Sequence, residues 1–185
     1  FRSRGFAISH VNLTHRNWTA VGQSDLPIYP IVDPRGLVTP LFDGWSLDFW
    51  IIGADDRKLL PSQLEHVDQR LEFDPRPTVQ TSGRQDGLQL AMAVAVENRS
   101  DMPRLIIRAE GRSATGGLLA VALRPYNPEG IQFIETVVYE SETSRWRIND
   151  EAAVLFGEPP EQVLFSDYAQ GDVIHKIGTD AADRR

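Results

Sequence analysis

Cysteine is absent from all 185 residues. That removes disulfide staples, thiolate nucleophiles and thiolate metal ligands together, and it fits a reducing compartment, so the expected location is cytoplasmic. Long apolar runs are missing too. The longest without glycine spans only Leu90 to Val96, far short of the roughly 20 residues a membrane-crossing helix needs, and no signal peptide is legible. Positive charge is scarce, with 19 Lys and Arg against 26 Asp and Glu and a formal net charge of −7. Without a basic stripe to neutralise phosphates, nucleic acid is not an expected partner.

Catalytic signatures are equally sparse. His10, His15, His66 and His175 stand at no metal-ligand spacing from one another or from a carboxylate, so no metal is expected. No Gly-x-Ser-x-Gly elbow marks a nucleophile. The stretch Gly111-Arg-Ser-Ala-Thr-Gly-Gly117 lacks the lysine and the following helix of a phosphate-binding loop, and reads as a hairpin loop. No catalytic residue and no cofactor is assigned. The chain opens at Phe1 rather than methionine, which suggests a piece of a longer polypeptide.

What is present is strand pattern. Trp45, Leu47, Phe49 and Ile51 alternate with Ser46, Asp48 and Trp50, the period of a β-strand. Leu88 to Val96 sets bulky Leu88, Leu90, Met92, Val94 and Val96 against small Ala91, Ala93 and Ala95. Arg104 to Glu110 resumes after Asn98-Arg-Ser-Asp-Met-Pro103, so the two read as a long antiparallel hairpin. Leu118 to Leu123 repeats the small face with Ala120 and Ala122, which predicts a three-stranded meander whose alanine side admits a second sheet closely. Gln132 to Glu140 and Arg145 to Ile148 continue the pattern, and Ala153 to Phe156 and Val163 to Phe165 read as short strands or turns. Helical signals are confined to Pro61–Gln69, where Ser62 is a capping candidate, and to the weaker Asp150–Phe156. The prediction is an all-β chain: one antiparallel β-sandwich over residues 1–177 with one or two short helices, then a linker or frayed tail over 178–185.

Two clusters carry most of the potential chemistry. In Arg124-Pro-Tyr-Asn-Pro-Glu-Gly130, two prolines and a glycine hold a corner that gives Arg124, Tyr126 and Asn127 defined directions. From Asp33 to Trp50, two tryptophans, two glycines and three aspartates combine stacking surface with hydrogen-bonding groups. Asp43, Trp45, Asp48 and Trp50 are therefore candidates for glycan contact or for a domain interface, together with Arg124, Tyr126 and Asn127. A small glycosidase would instead require two converging carboxylates, drawn from Asp43, Asp48, Asp55, Asp56, Glu129 and Glu135.

Three segments, Asp33-Pro-Arg-Gly-Leu-Val-Thr-Pro40, Phe42-Asp-Gly-Trp-Ser-Leu-Asp48 and Leu123-Arg-Pro-Tyr-Asn-Pro-Glu-Gly130, resemble the N-terminal β-sandwich region of bacterial glycogen-debranching or glucoamylase-like proteins. The resemblance runs in patches from Asn12 to Ile177. It implies a so-called supersandwich preceding an (α/α)6 barrel that carries the acid and base carboxylates. This chain has no room for some twelve barrel helices of about 11–12 residues each. The resemblance thus implies a non-catalytic supporting module, whose partners are a helical catalytic domain of the same polypeptide and an oligosaccharide. The competing readings are a free-standing carbohydrate-binding domain and a small carboxylate-dependent glycosidase. A homodimer through exposed small-residue or aromatic faces completes the set of partners.

Overall fold

A computed structural model describes residues 18–24, 26–41, 44–99, 102–150 and 152–177. The tail over 178–185, His10 and His15 lie outside the described residues. The chain forms two compact units, divided between Gln132 and Phe133. The described residues are all-β, with antiparallel sheets and two three-residue 3-10 turns, Pro61–Gln63 and Val173–His175.

The larger unit contains β1 (Thr19–Ala20), β2 (Ile31–Val32), β3 (Val38–Thr39), β4 (Ser46–Gly53), β5 (Lys58–Leu59), β6 (Asp68–Glu72), β7 (Thr78–Gln85), β8 (Leu88–Arg99), β9 (Met102–Ser113), β10 (Gly117–Arg124), β11 (Tyr126–Asn127) and β12 (Gly130–Ile131). The first sheet has the order β1-β2-β3-β4-β10, with β5 also paired to β4. The second is the simple meander β6-β7-β8-β9. They pack face to face: a Cβ added to Gly111 of β9 would collide with the Ile51 side chain of β4, and one added to Gly53 would meet Leu88 at 3.4 Å. Glycine at position 111 permits the close approach.

Alternation along the strands builds the core between the sheets. Leu47, Phe49 and Ile51 point inward from β4, and Leu88, Leu90, Met92, Val94 and Val96 from β8, all buried. The predicted hairpin is present as β8 and β9, paired in register from Leu88 opposite Ser113 to Arg99 opposite Met102.

Two expectations about this region are corrected. The alanines of β8 do not face the second sheet. The bulky side chains do, because they exclude more water there, and Ala91 is left exposed on the outer face. Nor does β10 extend the meander. It pairs over its whole length with β4, from Gly117 opposite Gly53 to Arg124 opposite Ser46, so the loop after Ser113 carries the chain from one sheet to the other.

The helix predicted over Pro61–Gln69 is a single 3-10 turn. Leu64 has extended torsions and is buried, reaching the space above Gly83 of β7, and β6 then begins at Asp68. Tertiary burial and strand pairing override a weak local signal there.

The smaller unit holds β13 (Val137–Glu140), β14 (Arg145–Ile148) and β15 (Ala152–Leu155) in one antiparallel sheet. The helix expected over Asp150–Phe156 is replaced by β15. Asn149 and Asp150 have φ of 51° and 57°, left-handed values that an α-helix cannot contain. Asn149 Oδ1 accepts the Glu135 and Thr136 N–H groups at 2.8 and 3.2 Å, which secures the turn. Trp146 of β14 stacks edge-on against Phe156 with centroids 4.9 Å apart. The strand expected from Gln132 is shorter, starting at Val137, and Val163 to Phe165 forms no strand.

Candidate functional site

The register between β4 and β10 assembles the site. Arg124 lies opposite Ser46, Ala122 opposite Asp48 and Ala120 opposite Trp50. All six occupy the face of this sheet turned away from β8 and β9, since Ile51, with the opposite alternation, faces Gly111. Small Ala120 and Ala122 leave room beside them for the Trp50 ring and the Arg124 stem. The face is nonetheless sealed: Asp48 is 4%, Trp50 3%, Arg124 3% and Tyr126 2% exposed.

Within this layer Arg124 is the centre. Its guanidinium carbon lies 5.2 Å from the centroid of Trp50 and 5.2 Å from that of Tyr126, and its Nε donates to the Tyr126 hydroxyl at 3.2 Å. A desolvated cation between two aromatic rings is a favourable arrangement, worth about 2 kcal/mol per ring at most sites of this kind. Asp48 Oδ1 accepts the Phe49 N–H at 2.9 Å, and the Trp50 indole N–H donates to the same carboxylate. Thr39 Oγ1 and Ser46 Oγ share a buried hydrogen bond of 2.8 Å that continues the polar seam onto β3.

Electrostatics mark Asp48 as the exceptional group. Burial pushes its carboxyl up to about 6 from the ordinary 3.8, against the opposing pull of the Trp50 hydrogen bond and the Arg124 charge. Asp33, in the turn between β2 and β3, is also raised by burial, although its carboxylate accepts the N–H groups of Arg35 and Leu37 at 2.8 Å each. Its negative charge adds a smaller upward push on Asp48.

A pH dependence follows. A carboxyl whose folded value is raised stabilises the fold below about 3.8 and loses that contribution as pH rises through about 6. Asp48→Asn removes the titration. The stability of the variant relative to the parent is expected to rise by on the order of 1 kcal/mol between pH 5 and pH 7.5. Urea unfolding at both values checks this, and a difference that stays constant with pH contradicts it.

Of the residues selected from the sequence, the structure brings together Asp48, Trp50, Arg124 and Tyr126. Asn127 serves the corner itself. Its Oδ1 accepts the Glu129 and Gly130 N–H groups at 2.8 and 3.1 Å, and its Nδ2 donates to the Gly44 carbonyl at 2.9 Å. Trp45 is half-buried just before β4, and Asp43 lies outside the described residues. Thr39 and Ser46 join the site without having been candidates: Ser46 was marked in the sequence only by its phase with Asp48 and Trp50, and Thr39, on β3, by nothing.

Asp55 is held at about 2 by the Arg57 guanidinium, 2.5 Å away. Glu129 and Glu135 are exposed and belong to different units. No group of three or more metal-ligating side chains occurs among the described residues. No helix of the described residues is long and apolar enough to cross a membrane.

Comparison with known proteins gives no neighbour. No family model, curated protein or solved structure matches the chain.

Proposed function

We propose that the chain is a non-catalytic β-sandwich module of a carbohydrate-active enzyme of the glycogen-debranching or glucoamylase-like kind, supporting a helical catalytic domain of the same polypeptide. One observation carries the non-catalytic part: the charged and aromatic residues of the motif-rich corner are turned into the fold, with Asp48, Trp50, Arg124 and Tyr126 each under 5% exposed. A group that water and substrate do not reach performs no hydrolysis. The carbohydrate part is supported by the three motifs, two of which supply this same layer: Ser46-Leu-Asp48 opens β4, and Leu123-Arg124 closes β10 just before Tyr126 of β11.

A free-standing carbohydrate-binding domain fits less well, since stacking on a sugar needs an aromatic face open to solvent. Trp50 and Tyr126 offer none.

Two measurements test the proposal. Reducing-end release from maltooligosaccharides is expected to be nil for this chain and present for a longer polypeptide that joins it to a helical domain; turnover by the chain alone overturns it. Tryptophan fluorescence is expected to stay unchanged on titration with millimolar maltooligosaccharide. A saturable shift would favour the binding-domain reading instead.

A further inference from the structure

The outer face of the β6-β7-β8-β9 sheet carries charges in rows, and the rows alternate in sign. Strand register places Asp68 of β6, Ala91 of β8 and Glu110 of β9 in one row, and Arg70, Ala93 and Arg108 in the next. Asp68, Arg70, Ala91, Arg108 and Glu110 are exposed and Ala93 is half-buried. The charged residues thus stand on the flanking strands β6 and β9, while the floor between them is Ser82 and Gln80 of β7 with Ala91 and Ala93 of β8.

Two of the four charges are already matched within the chain, Arg70 with Glu72 at 2.9 Å and Glu110 with Arg112 at 2.8 Å. Asp68 and Arg108 have no ion pair among the described residues. A two-fold axis lying in the plane of the face, across the strands and between the two rows, superposes each acidic row on the basic row of a second copy. Arg108 then meets Glu110 and Asp68 meets Arg70, each twice by symmetry, so the two unmatched charges are the ones that gain partners. An axis along the strands would instead set like on like.

We infer that this face is the interface of a homodimer, a second copy of the chain docked antiparallel on the uncharged floor of β7 and β8 and held in register by the charged rows. An isologous contact of this kind uses one self-complementary patch. The flanking rows are Arg84, Gln89 and Arg112 on one side and Glu72, Thr78, Ala95 and Ile106 on the other; four strands about 4.8 Å apart and four rows about 7 Å apart give roughly 500 Å² per copy. The total of about 1,000 Å² is at the lower limit for a specific interface. The dimer is therefore weak, and because its register is electrostatic it dissociates as salt is raised.

Sedimentation velocity over about a hundredfold range of concentration, at low and high salt, reads this directly, with circular dichroism confirming the fold of each variant. A concentration-dependent dimer that weakens with salt is expected. Arg108→Glu turns two symmetry-related attractions into repulsions and is expected to weaken it about tenfold or more. Glu110→Arg is expected to do the same, and the double reversal Arg108→Glu with Glu110→Arg restores association. A monomer at every concentration overturns the inference. So does a dimer that both single reversals leave intact, which would place the contact on another face, or one that the double reversal fails to restore.

Discussion

Arg124→Ala is expected to lower the stability of the fold by about 3–5 kcal/mol, the range found when one member of a buried charge pair is removed. Three losses coincide. The cation between Trp50 and Tyr126 disappears, the Tyr126 hydroxyl loses a donor, and Asp48 loses the positive charge that favours its ionised form. For a chain of this size the change corresponds to a fall in melting temperature of about 6–20 °C.

Comparison variants separate the contributions. Arg124→Met retains most of the buried stem and removes the charge, so it is expected to lie between alanine and the parent. Combining it with Asp48→Asn removes both charges and is expected to recover stability relative to Arg124→Met alone, because no uncompensated carboxylate then remains in the interior. Thermal and urea unfolding of the four proteins gives the coupling energy as a double-mutant cycle. Additive losses would show that Arg124 and Asp48 do not interact.

Gly117→Ala is the second large effect, expected at roughly 2–5 kcal/mol from backbone strain together with steric overlap. Gly117 opens β10 with φ of 151°, and a Cβ there would strike the carbonyl oxygen of Ile52 and sit 3.0 Å from the Gly53 Cα. Both obstacles are backbone of β4 and have no rotamer to escape into. Relief requires separating the strands where β10 first pairs, at Gly117 opposite Gly53.

Gly130→Ala supplies the control. Gly130 has the same φ of 151°, but an added Cβ meets nothing within 4 Å. It carries the torsional cost without the collision, so Gly117→Ala is expected to be distinctly the worse of the two. Equal losses in urea unfolding would remove the steric part of the argument.

Strand alternation made several elements legible in the sequence. The period-two pattern of β4 sorted Ser46, Asp48 and Trp50 onto one face, and the same pattern sorted bulky from small residues along β8. Turn residues between Arg99 and Met102 announced the β8–β9 pairing. The corner after Leu123 was legible as rigid, since its prolines, Asn127 and Gly130 are conformational signals in themselves. Local signals failed where distant partners decided. Pro61–Gln69 offered helical spacing, yet Leu64 is buried over Gly83 and β6 pairs with β7.

The candidate site shows the same division. Residues capable of stacking, ion pairing and hydrogen bonding could be named from the sequence. Their exposure could not, because a glycan-binding platform and a buried polar layer use the same tryptophans, arginine and aspartate. The deciding fact is that β10 pairs with β4 rather than β9, setting Arg124 opposite Ser46 and two residues of register from Asp48. That pairing is long-range, and nothing in either segment alone encodes it.

By itself, then, the sequence determined an all-β chain, its absence of cysteine, the faces of its long strands and the rigidity of its proline corner, because each depends on residue type or on the alternation of neighbours. Only the tertiary structure decided which faces meet. It turned the bulky side of β8 inward and the alanine side outward, and it enclosed Arg124 with Asp48, Trp50 and Tyr126, because burial is settled by which distant strands exclude water together.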